Sequence, residues 1–253
     1  MSRHRFLARE IDPAAGFGLV ADPDEIHHLT KVLRLREGDE IEIFDGKGQQ
    51  YLACIWEFSE GVKVRIVDRL PHRESSLQIT LLQSIGKGDK MDTVVREGTQ
   101  LGVWHFLPCM TEYGVVRVEG KRAAAKVERW QRLALEAVKQ CGRAWVPVVH
   151  PVQDFAAGLT FAQDQLGCDL LLCFHYPAPQ GLREVLQGEE GRSILVIIGP
   201  EGGFSPGEIA QVEAIGGRIV GLGPRVLRTE TAAVAALSAV GYALGDLGAE
   251  GEC

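Results

Sequence analysis

The sequence lacks the paired cysteines that mark disulfide scaffolds and structural metal sites. Its six cysteines are scattered along 253 residues, and no two of them form a Cys-x-x-Cys pair. Structural zinc sites and disulfide frameworks both depend on such regular spacings. We therefore expect neither a metal site nor a disulfide framework. The hydrophobic content of 45% is enough for one large core or two smaller ones.

The sequence also lacks the apolar runs that direct a chain into or through a membrane. No run is long enough to span a bilayer. The first residues, MSRHRFLAREI, include basic side chains but neither the apolar centre nor the small-residue cleavage site of a secretory signal. On these grounds we expect a soluble protein of the cytoplasm.

The chain lacks an overall positive charge, since 34 Asp and Glu outnumber 27 Lys and Arg and the formal net charge is −7, but basic residues are concentrated in two segments. Residues 117–143 carry eight Lys or Arg against three Glu, a balance of +5. Residues 27–36, HHLTKVLRLR, carry three Lys or Arg, two His and no acidic residue. Either segment alone is compatible with an ordinary solvated surface. Together, in an acidic chain, they favour contact with a polyanion such as RNA.

The hydrophobic pattern changes near residue 72. Before it, the runs DEIEIFD, QQYLACIWEF and VKVRIVDRL alternate polar and apolar residues between Gly-containing turns, which predicts an antiparallel sheet or small barrel. A short helix is predicted within residues 22–35. After residue 72, apolar strands alternate with helices, the pattern of an α/β sheet with ligands at the carboxyl ends of its strands. We predict two domains, residues 1–72 and 73–253.

Residues 198–209, IGPEGGFSPGEI, connect a predicted buried strand to a helix. Ser205, Pro206 and Glu208 have the order of an N-cap, a first helical residue and a capping-box acid. A phosphate-binding loop would favour a lysine and disfavour Glu201, and the GxGxxG pattern of dinucleotide-binding loops is absent here. Taken alone, the segment is equally compatible with a plain turn.

Residues 221–233, GLGPRVLRTETAA, form a second loop that follows an apolar strand and precedes a helix. Two such loops at the carboxyl ends of two strands can enclose one ligand through backbone contacts, because glycines allow close approach. The edges of an adenine ring and a zwitterionic amino-acid tail suit such an environment. A triphosphate does not.

The two loop motifs together resemble the RsmE-type family of the SPOUT superfamily, whose members are 16S ribosomal RNA uridine N3-methyltransferases. The stretches QSIGKGDKMDTVVREGTQLGV and RWQRLALEAVKQCGR are similar to further blocks of that family, and HHLTKVLRLREGDEIEIFDGKG resembles its N-terminal domain, so the resemblance covers nearly the whole chain. It implies an N-terminal PUA-like β-barrel and a C-terminal α/β domain with a trefoil knot, an exception to the rule against threaded chains. The implied partner is 16S ribosomal RNA or the 30S subunit.

The resemblance implies that the cofactor is S-adenosylmethionine, bound by the two loops and the strands before them. The residues expected to contact it are Leu172, Ile198, Gly199, Pro200, Glu201, Gly202, Gly203, Leu222, Gly223, Arg225, Val226, Leu227, Arg228, Thr231 and Ala232.

Methyl transfer from an activated sulfonium needs alignment of donor and acceptor rather than a metal. The N3 of uridine is protonated and normally base-paired, so the base must first be unpaired and its proton must leave. Arg225 and Arg228 are suited to stabilise the resulting anion. Glu201 and Glu230 are candidate proton acceptors, or simply ion-pair partners of an arginine.

The expected RNA contacts fall into three groups. Gln140 and Arg143, at the end of the basic helix, are candidates for the substrate side. Phosphate contacts are expected from both domains, because contacts to the phosphate backbone position a protein on RNA. From the α/β domain they are Lys87, Lys90, Arg117, Lys121, Arg122 and Lys126. From the barrel they are His27, His28, Lys31 and Arg34.

Three positions depart from the family pattern. Tyr113 and Gly114 stand where the family commonly has Arg and Ser, and Lys139 replaces a common Glu. Two other functions are compatible with the sequence: a SPOUT methyltransferase that acts on a ribose hydroxyl or on transfer RNA, and an RNA-binding protein without catalysis. The intact cofactor loops argue against an RNA-binding protein without catalysis. They do not distinguish a uridine N3-methyltransferase from one that acts on a ribose hydroxyl or on transfer RNA.

The helix predicted over residues 229–245 is rich in alanine and other small residues, which allow close packing against another backbone. The domain's own sheet could be that neighbour. The resemblance implies instead a homodimer formed through the knotted region, with an isologous interface.

Overall fold

The computed structural model describes residues 3–71, 73–189 and 192–248. The chain divides into two compact units, the first comprising residues 1–74 with 138–146 and the second residues 75–137 with 147–253. The predicted boundary at residue 72 lies outside the described residues, as does Cys253. In the described part of the chain, no helix is both long enough and apolar enough to cross a membrane.

The first unit is built mainly from short strands. Its elements are β1 (Arg5–Leu7), β2 (Glu10–Asp12), β3 (Phe17–Val20), α1 (Pro23–His27), a π-helix (His28–Val32), β4 (Glu40–Phe44), β5 (Gln50–Phe58) and β6 (Val62–Arg69). The strands form one sheet in the order β1-β4-β5-β6-β3-β2. All its pairs are antiparallel except β1 with β4.

The sheet of the first unit curls so that its two edges approach each other. The edge strands β1 and β2 are separated by only two residues in the chain. The N–H of Ala8 donates to the carbonyl of Phe44 on one edge, and the N–H of Arg9 donates to the carbonyl of Leu19 on the other. The side chains enclosed by the curl are apolar, among them Ile41, Ile43, Ala53, Ile55, Val62 and Val64. The predicted small antiparallel sheet is thus confirmed in its coarse form.

The helix predicted over residues 22–35 is a short α-helix that continues as a π-helix. Asp22 begins it by accepting hydrogen bonds from the N–H groups of Asp24 and Glu25. Pro23 occupies the first helical position, where its missing N–H is harmless. The wider π-helical turn that follows is rare and is frequent at functional sites.

The second unit is an α/β domain. Its elements are β7 (Gln78–Ser84), α2 (Lys90–Gln100), β8 (Val103–Met110), α3 (Gly120–Cys141, ending among residues of the first unit), β9 (Val148–Val149), β10 (Gln153–Asp154), α4 (Phe155–Asp164), β11 (Leu170–Phe174), β12 (Gln180–Gly181), α5 (Leu182–Val185), β13 (Ser193–Ile198), α6 (Pro206–Ala214), β14 (Arg218–Gly221) and α7 (Thr229–Leu244).

The strands of the second unit form one sheet in the order β10-β8-β7-β13-β11-β14-β12, with β9 beside β8. Every pair is parallel. Helices α2, α3, α5 and α7 contribute to one apolar layer, and α4 and α6 contribute to the other. Because helices cover both faces, β11 is apolar throughout, and β13 has five buried apolar residues in succession. The predicted α/β architecture is confirmed.

Two histidines are in contact where β8 runs beside β9. His105 Nδ1 lies 3.1 Å from His150 Nε2, and the ring of His150 also packs edge-on against Phe161. Burial, followed by the neighbouring His105, lowers the pKa of His150 from 6.5 to about 4, and burial lowers the pKa of His105 as well. The pair is therefore neutral in the folded protein at neutral pH.

This pair predicts an acid-sensitive contribution to stability. The unfolded chain takes up protons at these histidines at a higher pH than the folded chain. The contribution of the neutral pair to the free energy of unfolding is therefore complete above pH 6.5 and is lost as the pH falls towards about 4. We expect the melting temperature of His150→Gln to fall less over this interval than that of the wild type. His4→Gln, at an exposed site, is the control. An equal fall in wild type and His150→Gln would contradict the prediction.

Candidate functional site

A cavity of about 230 Å³ opens at the carboxyl ends of three adjacent strands, β13, β11 and β14. The loop after β13 and the loop after β14 form two of its walls, and the residues that follow β11, which lies between those strands, form a third. The lining residues are Phe174, His175, Tyr176, Ile198, Gly199, Pro200, Glu201, Gly202, Gly203, Phe204, Val220, Leu222, Gly223, Arg225, Val226, Leu227, Thr229 and Ala232.

The loop after β13 is shaped by a tight turn and a capped helix. Gly203 has a positive φ of 74°, and its N–H donates to the carbonyl of Pro200 at 3.0 Å. Ser205 then caps α6: its hydroxyl accepts from the N–H of Glu208, and its own N–H donates to the Glu208 carboxylate at 2.8 Å. The predicted capping box is confirmed. It ends the loop sharply and leaves residues 199–204 facing the cavity.

Thr229, the first residue of α7, joins the two loops. Its hydroxyl donates to the carbonyl of Gly199 at 2.6 Å and accepts from Nε2 of Gln83 at 3.0 Å. Both side chains are buried, and Gln83 also donates to the carbonyl of Ser84. Buried polar groups that are paired in this way are costly to disrupt. The end of β7, the loop after β13 and the start of α7 are therefore fixed together.

A second junction is made by Lys90 at the start of α2. Its ammonium lies 2.6 Å from Oε1 of Glu201 and 3.6 Å from Oε2 of Glu230. The hydrogen bond to Glu201 raises the pKa of Lys90. For Glu201, partial burial opposes ionisation, but the hydrogen bond from Lys90 together with backbone N–H groups lowers its pKa. The cluster of one lysine and two carboxylates carries a net negative charge beside the cavity.

Most residues predicted to contact the cofactor line this cavity. They are Ile198, Gly199, Pro200, Glu201, Gly202, Gly203, Leu222, Gly223, Arg225, Val226, Leu227 and Ala232. Leu172 does not, because it is enclosed within β11, and Arg228 and Thr231 are exposed at the start of α7 outside the lining.

Six lining residues were not predicted: Phe174, His175, Tyr176, Phe204, Val220 and Thr229. Phe174 is the last residue of β11, and His175 and Tyr176 follow it. The position of β11 between β13 and β14 is a property of the sheet order, which has no local signal in the sequence.

Only two of the four predicted catalytic residues line the cavity. Glu201 and Arg225 line the cavity, whereas Arg228 and Glu230 do not. The alternative that the glutamates are ion-paired with an arginine is corrected by the structure, in which their partner is Lys90. Lys90 was predicted to contact RNA phosphates, but two carboxylates already neutralise its charge.

All but one of the predicted RNA contacts of the first unit are exposed. The exposed ones are His27, His28, Lys31, Arg34 and Gln140.

Arg143 requires a correction. It is 5% exposed, its Nε donates to the carboxylate of Glu74 at 2.8 Å, and its carbonyl accepts from Arg5. An arginine enclosed in this way stabilises its own unit and does not present its charge to a substrate.

The predicted RNA contacts of the second unit are mostly solvent-accessible. Lys87, Lys121 and Arg122 are exposed, and Lys126 is half-buried with its ammonium above the ring of Trp130. Arg117 is also exposed, but its guanidinium donates to the carbonyl of Gly114 at 2.9 Å. The basic surface of α3 is thus present as predicted, while Arg117 is partly used within its own loop.

The cavity is suited to hold and align a ligand. Its walls are largely backbone, glycine and apolar side chains, with one carboxylate and one arginine. Burial raises the pKa of the nearest strand cysteine, Cys173, so its thiol is not an activated nucleophile. Within the described ranges, no group of three or more His, Cys, Asp or Glu is arranged to hold a metal ion.

The Lys90 junction predicts a specific pH dependence. In Lys90→Met, two carboxylates lose their shared cation, so we expect a lower melting temperature at pH 7 than in the wild type. The stabilisation that accompanies the lowered pKa of Glu201 is present above its ordinary value of 4.5 and is lost as the pH falls. The difference between the proteins should therefore shrink at pH 4. Lys87→Met, at an exposed site, is the matched control; a difference that stays constant with pH would refute the assignment.

Comparison with known families adds independent information. The RNA methyltransferase domain family matches residues 73–241, and the RNA methyltransferase PUA domain family matches residues 21–57. A relative named ribosomal RNA small subunit methyltransferase E, from Bacillus subtilis, is 32% identical over 92% of this chain and 93% of its own. A relative of the same name from Synechocystis is 33% identical over 85% of this chain and 70% of its own.

Solved structures agree with these matches. The structure of a ribosomal RNA small subunit methyltransferase E from Neisseria gonorrhoeae, bound to S-adenosyl methionine, is 32% identical to this chain. The two superpose with a TM-score of 0.84 over 97% of this chain and 99% of the other. The resemblance drawn from the loop motifs is confirmed, and the chain belongs to the ribosomal RNA small subunit methyltransferase E family of RNA methyltransferases.

Proposed function

We propose that this protein transfers a methyl group from S-adenosylmethionine to N3 of a uridine in 16S ribosomal RNA. The observation that carries the proposal is the cavity enclosed by the loops after β13 and β14, in a fold whose Neisseria relative was solved with S-adenosyl methionine. The choice of uridine N3 rests on the family resemblance of the two loop motifs. The cofactor supplies an activated methyl group when it is bound.

The residues of the cavity fit this cofactor. S-adenosylmethionine carries a sulfonium and an ammonium group, and the Lys90–Glu201–Glu230 cluster leaves a net negative charge beside the cavity. Leu222, Leu227 and Ala232 offer apolar surface to an adenine ring, and the glycines among residues 199–203 let a ligand come close to the loop backbone. A nucleoside triphosphate would find one arginine and a net acidic junction, a poor environment for several phosphates.

Arg225 and Glu201 have different proposed roles in the reaction. Arg225 is exposed at the cavity and is the proposed cation that stabilises the uracil anion formed when the N3 proton leaves. Glu201 is held by Lys90 and has a lowered pKa, which makes it a weak base. We therefore assign Glu201 the role of complementing the positive charge of the cofactor. The acceptor of the uridine N3 proton is proposed to be a water molecule in the open cavity.

RNA is proposed to contact both units through their exposed basic residues. In the first unit these are His27, His28, Lys31 and Arg34, on α1, the π-helix and the residues just after it, in a unit of the PUA type. In the second unit they include Lys121 and Arg122 on α3. We also propose that the chain segments around the cavity form the trefoil knot of the SPOUT superfamily. A ribosomal RNA substrate accords with a cytoplasmic location.

The methyl-transfer proposal is tested by locating the label. The protein is incubated with S-adenosylmethionine carrying a labelled methyl group and unmodified 30S particles or 16S RNA, and the RNA is digested to nucleosides. We expect the label in N3-methyluridine. A label in a 2′-O-methyl nucleoside, or in transfer RNA offered in parallel, would support the other methyltransferase. No label in any RNA would leave a binding protein and refute the proposal.

Gly203→Val links this activity to the cavity. Residue 203 has a positive φ of 74°, and a Cβ there would lie 3.6 Å from the His175 ring, so the new side chain enters the cavity. We expect loss of most cofactor binding and methyl transfer. Gly216→Val is the matched control, because Gly216 also has a positive φ, of 81°, but faces open space at the end of α6. Equal activity of the two variants would argue against the cavity as the site.

The active unit is proposed to be a homodimer that uses α7. Thr231, Ala235, Ser238 and Tyr242 recur at helical spacing, and none of them is buried; Tyr242 is 74% exposed. Ala236, by contrast, is fully buried in the core of its own unit, so a charged residue there would unfold the chain whatever its oligomeric state. The exposed side of the helix is the appropriate place for a test.

Ala235→Arg is expected to split the dimer and to lower methyl transfer, because a charged side chain at a closely packed isologous interface is introduced twice. Sedimentation velocity at micromolar concentration measures the oligomeric state. Ala210→Arg, on the exposed side of α6, is the control and should leave sedimentation unchanged. A fully active wild-type monomer would rule out the dimer.

A further inference from the structure

The turn that follows β8, residues 111–114, presents an aromatic ring to solvent beside the cavity. Tyr113 is 48% exposed, although it lies on a turn of four residues that is closely hydrogen-bonded. The family resemblance implies an arginine at this position, where this chain has a tyrosine. An uncharged ring cannot replace an arginine as a phosphate contact.

Hydrogen bonds fix the buried side of the turn. Thr111 is buried, and its hydroxyl shares a hydrogen bond of 2.7 Å with the hydroxyl of Ser84. The N–H of Glu112 donates to Oε1 of Glu208 at 2.8 Å, and Glu208 is the capping-box residue of α6. The turn and the loop after β13 therefore share one carboxylate as an anchor.

The exposed end of the turn is also fixed. The N–H of Gly114 donates to the carbonyl of Thr111 at 3.1 Å. Arg117 donates to the carbonyls of Gly114 and Glu112, at 2.9 and 3.3 Å. Because the backbone on both sides of Tyr113 is hydrogen-bonded, the turn that carries the ring is fixed, and little backbone freedom is lost when a ligand contacts it.

Tyr113 lies against the wall of the cavity. A Cβ atom on Gly202 would come within 3.2 Å of the Tyr113 Cβ and 3.4 Å of its carbonyl oxygen, and Gly202 lines the cavity. A second exposed tyrosine, Tyr176, lies two residues after β11, is 54% exposed and itself lines the cavity, which Tyr113 does not. Aromatic rings are thus available beside the place where the methyl donor is proposed to bind.

We infer that Tyr113 is the surface on which the unpaired target base stacks during methyl transfer. The inference rests on the proposed function, since it assigns a substrate contact to the same site. A base removed from its helix loses its stacking neighbours, and proteins replace them with aromatic rings. Stacking of one base on such a ring corresponds to about 5- to 150-fold in affinity.

The test compares Tyr113→Leu with Tyr113→Phe. Methyl transfer to unmodified 30S particles is measured as kcat/KM, and S-adenosylmethionine affinity is measured by calorimetry on the same preparations. We expect Tyr113→Leu to lower kcat/KM for the particles by about 5- to 150-fold, mainly through KM, because a leucine is apolar but cannot stack. Tyr113→Phe retains the ring and should stay within about twofold of the wild type. Cofactor affinity should be unchanged in both.

Three outcomes would overturn the inference. They are full activity of Tyr113→Leu, a loss in Tyr113→Phe as large as that in Tyr113→Leu, and a parallel loss of cofactor affinity, which would make Tyr113 a structural support of the Gly202 loop. A wild-type protein that transfers no methyl group to any RNA would instead refute the proposed function and the inference with it. An active wild type with an unaffected Tyr113→Leu variant refutes the stacking assignment alone.

Discussion

The hydrogen bond from the Thr229 hydroxyl to the carbonyl of Gly199 is the contact on which the site depends. Gly199 follows β13, and Thr229 begins α7 after the loop that follows β14, so this single bond connects the two loops that enclose the cavity. Gln83, at the end of β7, completes the junction from the neighbouring strand. Because both side chains are buried, water cannot replace either partner, and the loops are held in one arrangement before any ligand binds.

Electrostatics adds a second constraint at the same place. Lys90 draws the carboxylates of Glu201 and Glu230 together, one from each loop region, and leaves a negative balance that suits a methyl donor of net positive charge. Positive charge is kept elsewhere, on α3 and on the exposed part of α1 and the π-helix, where it is available to RNA. This separation explains how an acidic chain with a net charge of −7 can belong to a family that acts on a polyanion.

Local signals in the sequence were sufficient for the loops and insufficient for their surroundings. The Ser205 cap, the glycines and the apolar strands act over a few residues, so two loops at strand ends that enclose one ligand could be predicted from them, whereas the individual contact residues came from the family resemblance. The contribution of His175 and Tyr176 depends on β11 lying between β13 and β14, an order set by the whole sheet. In the same way, Arg143 is buried because Glu74, 69 residues earlier, accepts its hydrogen bond. The burial of Ala236 beside the more accessible Ala235 follows from the rotation of α7 on the sheet, which alternating small residues do not specify.

The most direct test of the central claim is calorimetric titration of S-adenosylmethionine into wild-type protein and into Thr229→Val, with EDTA present. Valine keeps the shape of threonine but removes the donor to Gly199 and one of the two acceptors of the Gln83 amide, the other being the carbonyl of Ser84. We expect binding to the wild type and at least about fivefold weaker binding to Thr229→Val, from loss of a buried hydrogen bond. Thr160→Val, at an exposed position on α4, should bind as the wild type does. Unchanged affinity in Thr229→Val would contradict the claim that this junction shapes the site, and absence of binding to the wild type would contradict the assignment of the cavity.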